Sequence, residues 1–121
     1  MSRADYFLTE RHADTLIIIP MVNLSELEYD ESATQAIYDQ FHDATIKNVV
    51  FDFYRTDYFG STALGFFVRV WKRVTMRNGR MAFANLSQHE AEILRVTKLD
   101  THWAICASRA DALAAVQAKS A

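Results

Sequence analysis

The residues best placed to do chemistry are two adjacent hydroxyls, Ser61 and Thr62, directly after Gly60. Asp52 and Asp57 precede them. The segment Val49-Val50-Phe51-Asp52-Phe53 is β-branched and aromatic, as a buried strand requires. From Ser61 the apolar spacing becomes helical and runs to a stop at Asn78-Gly79. The hydroxyls therefore sit where a strand's carboxyl end meets a helix's amino end. Free backbone N–H groups and the positive end of the helix dipole favour an anion or a phosphate there. Helix capping alone, worth roughly 1 kcal/mol, would explain one of the hydroxyls. A serine nucleophile is disfavoured, because G-x-S-x-G fails when Ser61 directly follows Gly60. Asp52 and Asp57 read as solvated or turn-forming carboxylates.

Other reactive residues give less. His12, His42, His89 and His102 are scattered singly, without a second ligand at helical or hairpin spacing, so no metal site is expected. With three glycines there is no G-x-G-x-x-G, and Lys72 and Lys98 follow no glycine-rich turn. No cofactor is expected. Cys106, the only cysteine, reads as an inert core thiol and excludes an internal disulfide.

The elements that must position the turn follow in order. Tyr6 to Arg11 reads as a strand, His12-Ala13-Asp14 as a tight turn, and Thr15 to Val22 as its hairpin partner. Leu16 to Ile19 is expected to be buried on both faces, with Pro20 marking a bulge or edge. Asn23 to Asp30 is a polar connection. Ser32 is expected to cap a helix that buries Ala33, Ile37, Phe41 and Ala44. The helix from Ser61 or Thr62 to Arg77 carries Leu64, Phe67, Val68, Trp71 and Val74 as its core stripe. Phe66 and Val70 fall outside that stripe, either as a partner surface or as residues covered by a neighbouring helix. Arg80 to Asn85 is a strand. Ser87 with Glu90 forms a capping box for a helix bearing Ala91, Leu94 and Val96. Leu99 to His102 breaks that helix, and Trp103 to Cys106 is a last strand. Ser108, with Asp111 three residues on, caps a terminal helix that buries Ala112, Leu113 and Val116.

The resulting order, ββαβαβαβα, predicts an α/β fold: a mixed sheet, parallel in its later part, with about four helices packed on it. At 121 residues the expectation is one domain spanning 1–121. A formal net charge of −2 provides no global attraction to nucleic acid. No apolar run approaches a membrane span, and a single cysteine suits a reducing cytoplasm.

Several words in this order resemble the STAS domain, and within it the bacterial anti-sigma factor antagonists. Gly60-Ser61-Thr62-Ala63-Leu64-Gly65 falls on the family's Asp-Ser-Ser/Thr-Gly-Leu-Gly turn. Leu27-Glu28-Tyr29-Asp30 is similar to its Gly-Glu-Leu-Asp, and Leu86-Ser87 with Val96 to Asp100 to its "LS … LTGLD". Ser108 to Leu113 is similar to its closing Ser-x-x-Glu-Ala-Leu. Gly60, Ala63, Leu27 and Lys98 depart from the pattern. The resemblance implies a cytoplasmic binding module that is not an enzyme and that regulates transcription by partner switching. Its partners would be an anti-sigma factor that is also a serine kinase, and a serine phosphatase, with a homo-oligomer as a further option. Ser61 would receive the phosphate, with Thr62 as second choice. The partner-binding residues would be Asp30, Asp57, Tyr58, Phe59, Gly60, Ser61, Thr62, Phe66 and Val70. The alternative is a constitutive STAS scaffold, or an accessory subunit of a signalling assembly or ABC-type transporter, which Gly60 in place of the turn's Asp favours.

Overall fold

A computed structural model describes residues 6–24 and 31–117. Leu27 to Asp30, including the expected partner residue Asp30, lie outside the described residues. Strands β1 (Phe7–His12) and β2 (Thr15–Pro20) form an antiparallel hairpin, with Phe7 opposite Pro20 and His12 opposite Thr15. Helix α1 (Glu31–Gln40) leads to β3 (Asn48–Asp52), and α2 (Ser61–Thr75) to β4 (Met81–Ala84). Helix α3 (Gln88–Val96), a 3-10 turn at Leu99–Thr101, β5 (Ala104–Cys106) and α4 (Arg109–Gln117) complete the order. The sheet runs β1-β2-β3-β4-β5, parallel from β2 onward, as expected for a mixed sheet.

Side-chain alternation along the strands divides the core into two layers. Leu16, Ile18, Val49, Phe51 and Phe83 face α1, α2 and α3, while Ile17, Ile19, Val50, Ala82 and Ala84 face α4. All six residues of β2 are buried. Pro20 closes that strand beyond the last parallel pair, Ile18 with Phe51, where its missing N–H breaks no rung to β3.

Several local expectations shift. Helix α1 begins at Glu31, so Ser32 lies inside its first turn. Ala44 is exposed, and Ile46 fills the core beyond Phe41. Val96 is exposed and Glu90 buried, so α3 turns a carboxylate inward. Cys106 is only half-buried because β5 is an edge strand, and burial raises its thiol pKa, with the Asp111 charge adding to it. Of the three serine caps expected, Ser32 is displaced and the other two are present: Ser87 and Glu90 form the full box, and the Ser108 Oγ accepts from the Asp111 N–H at 3.1 Å.

The end of α2 is a Schellman-type stop. Gly79 N–H reaches the Val74 carbonyl and Asn78 N–H the Thr75 carbonyl, each at 3.0 Å. Asn78, at φ 57°, takes the left-handed residue. Gly79 is needed for a different reason: a Cβ there would lie 1.8 Å from the Lys47 carbonyl oxygen.

Candidate functional site

The loop from Tyr54 to Phe59 is fixed from three sides before it delivers Ser61. Thr56 Oγ1 donates to Glu90 Oε2 at 2.9 Å. Asn23 and Asp57 bond twice, Nδ2 to Oδ1 at 3.1 Å and the Asp57 N–H to Asn23 Oδ1 at 3.2 Å. Ser87 Oγ donates to the Asp57 carbonyl at 2.7 Å. Phe59 then plugs the core, its ring 5.4 Å from that of Phe53 and 5.1 Å from that of Phe67. A bridge between Leu24 and Phe59, with Gly60 N–H donating to the Leu24 carbonyl at 3.2 Å, holds the chain as it enters α2.

Gly60 is the N-cap of α2 and, having no side chain, makes no side-chain cap bond. Ser61 and Thr62 therefore stand in the first turn, both exposed, rather than capping it. Among the described residues, the Ser61 hydroxyl has no hydrogen-bond partner. Asp57 and Tyr58 are exposed beside it, and Tyr58 stacks on His89 with ring centroids 5.1 Å apart.

Three expected partner residues need correction. Phe59 is 0% exposed, Phe66 1% and Val70 0%. Phe66 lies among Phe7, Tyr38 and Phe51, at 5.2, 5.9 and 5.9 Å between ring centroids. The neighbouring helix α1 covers it, which was the alternative reading of that pair. The buried face of α2 is Ala63, Phe66, Phe67, Val70 and Val74, with Leu64, Val68 and Trp71 on its flank. The core stripe is thus rotated by about one residue from the expected one. Phe59, Phe66 and Val70 support the site from beneath and are too little exposed to form a partner surface.

What lies open instead is a groove of about 490 Å³ between α1 and α2. Ser61, Thr62, Gly65, Phe66 and Arg69 line one wall, and Glu31, Thr34, Gln35 and Tyr38 the other. Arg69 was missed in the sequence, although its spacing of four residues from Gly65 and eight from Ser61 puts all three on one helical face. Farther along, Arg73 stacks over the Tyr38 ring, its guanidinium carbon 4.1 Å from the centroid. A second hollow, of about 540 Å³, lies at Asp57, Ser87, His89 and Glu92.

Asp52 is not a solvated turn carboxylate. It is buried at the end of β3, where it accepts from Arg109 Nε at 2.8 Å, Asn85 Nδ2 at 2.9 Å and the Tyr54 N–H at 3.1 Å. Its hydrogen bond, chiefly, holds the Arg109 guanidinium more firmly charged, and Glu10 adds to this at 2.8 Å. Burial raises the Glu90 pKa, against the lowering effect of the hydrogen bonds from Ser87 and Thr56. No group of three or more His, Cys, Asp or Glu that could hold a metal occurs among the described residues.

Known proteins share this architecture. An anti-sigma-factor antagonist (STAS) domain protein from Planctomyces limnophilus superposes with a TM-score of 0.82 at 26% identity, over 93% of this chain and 98% of that one. The anti-sigma factor antagonist SpoIIAA in its unphosphorylated form gives 0.70 at 19% identity, over 95% and 99%. The Bacillus cell fate determinant SpoIIAA in the phosphorylated form gives 0.71 at 18%, over 92% and 99%. No curated protein matches the chain significantly. The family model for the STAS domain matches residues 10–112, which include the Gly60 turn and most of the described core, and the chain belongs to the STAS domain family.

Proposed function

We propose that the chain is an anti-sigma factor antagonist-like binding module, switched by phosphate on Ser61. The observation that carries this reading is an exposed serine hydroxyl, without a hydrogen-bond partner among the described residues, on a turn anchored by Phe59 and Thr56. The partner is an anti-sigma factor with serine kinase activity, and a serine phosphatase resets the switch. In the forward step the Ser61 Oγ forms a bond to the γ-phosphorus of a nucleoside triphosphate. The bond to the bridging oxygen breaks, the nucleoside diphosphate leaves, and the hydroxyl proton passes to a base on the kinase. No catalytic role is assigned to this chain. The contact surface is the rim of exposed Asp57, Tyr58, Ser61 and Thr62, with half-buried Gly60 among them.

Phosphate adds about −1.5 to −2 charges at pH 7. In the first turn of α2 that charge is tolerated by the helix dipole, so the fold persists. A partner packed over the rim must instead desolvate a dianion, and each loss of about 1.4 kcal/mol weakens binding tenfold. Mass spectrometry after incubation with the candidate kinase should place phosphate on Ser61. The Ser61→Asp variant should bind the partner at least tenfold more weakly, with an unchanged melting temperature, whereas Ser61→Ala should still bind. Absence of phosphate on Ser61 together with full binding by Ser61→Asp would reject the switch. The bare Gly60 cap favours the second reading, a constitutive STAS scaffold or transporter accessory subunit, for which co-purification with an ATPase and an unmodified turn are the expected results.

A further inference from the structure

We propose that a phosphate on Ser61 is held within its own chain by Arg69, across Gly65 in the groove between α1 and α2. This rests on the reading of Ser61 as the modified residue and adds what the modified state looks like. Arg69 leans back toward the start of its helix, as long helical side chains do. Its Nη1 lies 3.5 Å from where a Cβ on Gly65 would be. Gly65 is in turn one helical turn from Ser61, so Ser61, the empty position and the Arg69 guanidinium lie along one face of α2 in the same groove. Beyond the helix's own backbone, no other atom of the described residues would lie within 4 Å of a Cβ at Gly65. The glycine is therefore not required by packing, and its missing side chain leaves the space between donor and acceptor open.

The Arg69 guanidinium has no hydrogen bond or ion pair among the described residues. Arg73, the next cation on that face, is already engaged: its Nη1 donates to the Arg69 carbonyl at 2.9 Å and its head covers Tyr38. From α1 the groove presents Glu31, whose charge opposes a phosphate. Gln35 is turned to Asp39 at 2.8 Å, and the Thr34 hydroxyl to the Glu31 carbonyl at 3.0 Å. Among the described residues that line the groove, Arg69 is thus the cation, and its planar fork suits two phosphate oxygens at once.

The test uses the full chain carrying phosphoserine at position 61, introduced during synthesis by an expanded genetic code, so that no kinase is needed. A titration followed by 31P NMR reads the second ionisation of the phosphate, which lies near pH 6 when unpaired. With Arg69 present the midpoint should fall by roughly half a pH unit or more, because a nearby cation favours the dianion. It should return toward the unpaired value in Arg69→Gln, remain partly lowered in Arg69→Lys, and fall further in Glu31→Gln. The Arg69 Nε–H resonance should move on phosphorylation. In the unmodified chain, Arg69→Gln should leave the melting temperature unchanged, separating pairing from a structural role. Equal midpoints in the parent and Arg69→Gln would overturn the proposal. A missing Ser61 phosphate in cells would instead overturn the switch while leaving this pairing measurable.

Discussion

Glu90 shows how one residue can serve position and be left with a pH dependence. Its carboxylate is fully buried, completes the α3 capping box through the Ser87 N–H at 2.9 Å, and receives the Thr56 hydroxyl that steadies the loop before Ser61. Burial outweighs those hydrogen bonds, so its folded pKa lies above the ordinary value near 4.5. Between that value and the raised one, the native state binds more protons than the unfolded chain. The stability contributed by the protonated form is therefore full below about pH 4.5 and is lost as pH rises through the folded pKa. Asp43 and Glu92 shift the other way, chiefly through hydrogen bonds from Thr45 and Arg95, and their contributions disappear only as pH falls below the ordinary carboxylate range. Urea denaturation from pH 4.5 upward should show stability falling in the parent, with the slope flattened in Glu90→Gln, which can keep the Ser87 and Thr56 contacts. An equal slope in the two proteins would show that Glu90 is not the titrating group.

At the scale of elements, α2 carries two glycine questions with opposite answers. Gly65 sits in the helix interior without a positive φ, and among the described residues a Cβ there would meet the Arg69 side chain alone, at an ordinary distance. Gly65→Ala should raise stability by about 0.5–1 kcal/mol. Gly79→Ala should lower it by about 2 kcal/mol or more, because the new Cβ would collide with the Lys47 backbone and force strand and helix apart. Chemical denaturation of both variants checks the pair of signs. Such local chemistry explains which elements were legible in the sequence. The Ser87–Glu90 box and the Ser108 cap were readable because donor and acceptor are three residues apart in the chain. The exposed hydroxyl turn was readable because a buried strand and a helix start bracket it. The phase of α2 was not readable, because both stripes, through Phe66 and Val70 or through Leu64 and Trp71, are apolar. Contacts from Phe7 and Tyr38, distant in sequence, decide between them. Phe59 was read as surface for the same reason: its bridge to Leu24 is not written in the loop. Lys98 was recognisable as standing where the family has glycine, and its φ of 62° shows why a glycine suits that position.

At the scale of the whole molecule, the two faces of the sheet are unequally secured, and the pair of buried Asp52 with half-buried Arg109 compensates for this. The face bearing α1, α2 and α3 holds the large aromatic cluster around Phe51, Phe67 and Phe83, with Phe67 5.0 Å from Phe51 and 5.2 Å from Phe83. The opposite face holds α4 through Ala112 and Val116 against small partners such as Ala82 and Ala84. Apolar burial scales with area, at about 25 cal/mol per Å², so α4 is the less strongly attached layer. Its first residue, Arg109, ties it to Asp52 on β3 and to Glu10 on β1, and Gln117 ties its far end to Asp14 and Thr15 at 2.9 and 3.0 Å. Asp52 also bonds the Tyr54 N–H, so this pair joins α4 to the base of the loop that presents Ser61. Removing the guanidinium in Arg109→Ala leaves Asp52 with its Asn85 and Tyr54 bonds but without its ion partner. The expected loss is about 1.5–3 kcal/mol, the range for hydrogen bonds to charged groups. Native-state hydrogen exchange should show α4 amides opening at lower free energy than those of α2 in the parent. In Arg109→Ala that opening should become easier still, while the central α2 amides keep slow exchange set by global unfolding. If α4 and α2 amides exchange together in both proteins, the helix is not a separate layer and the pair acts on the molecule as a whole.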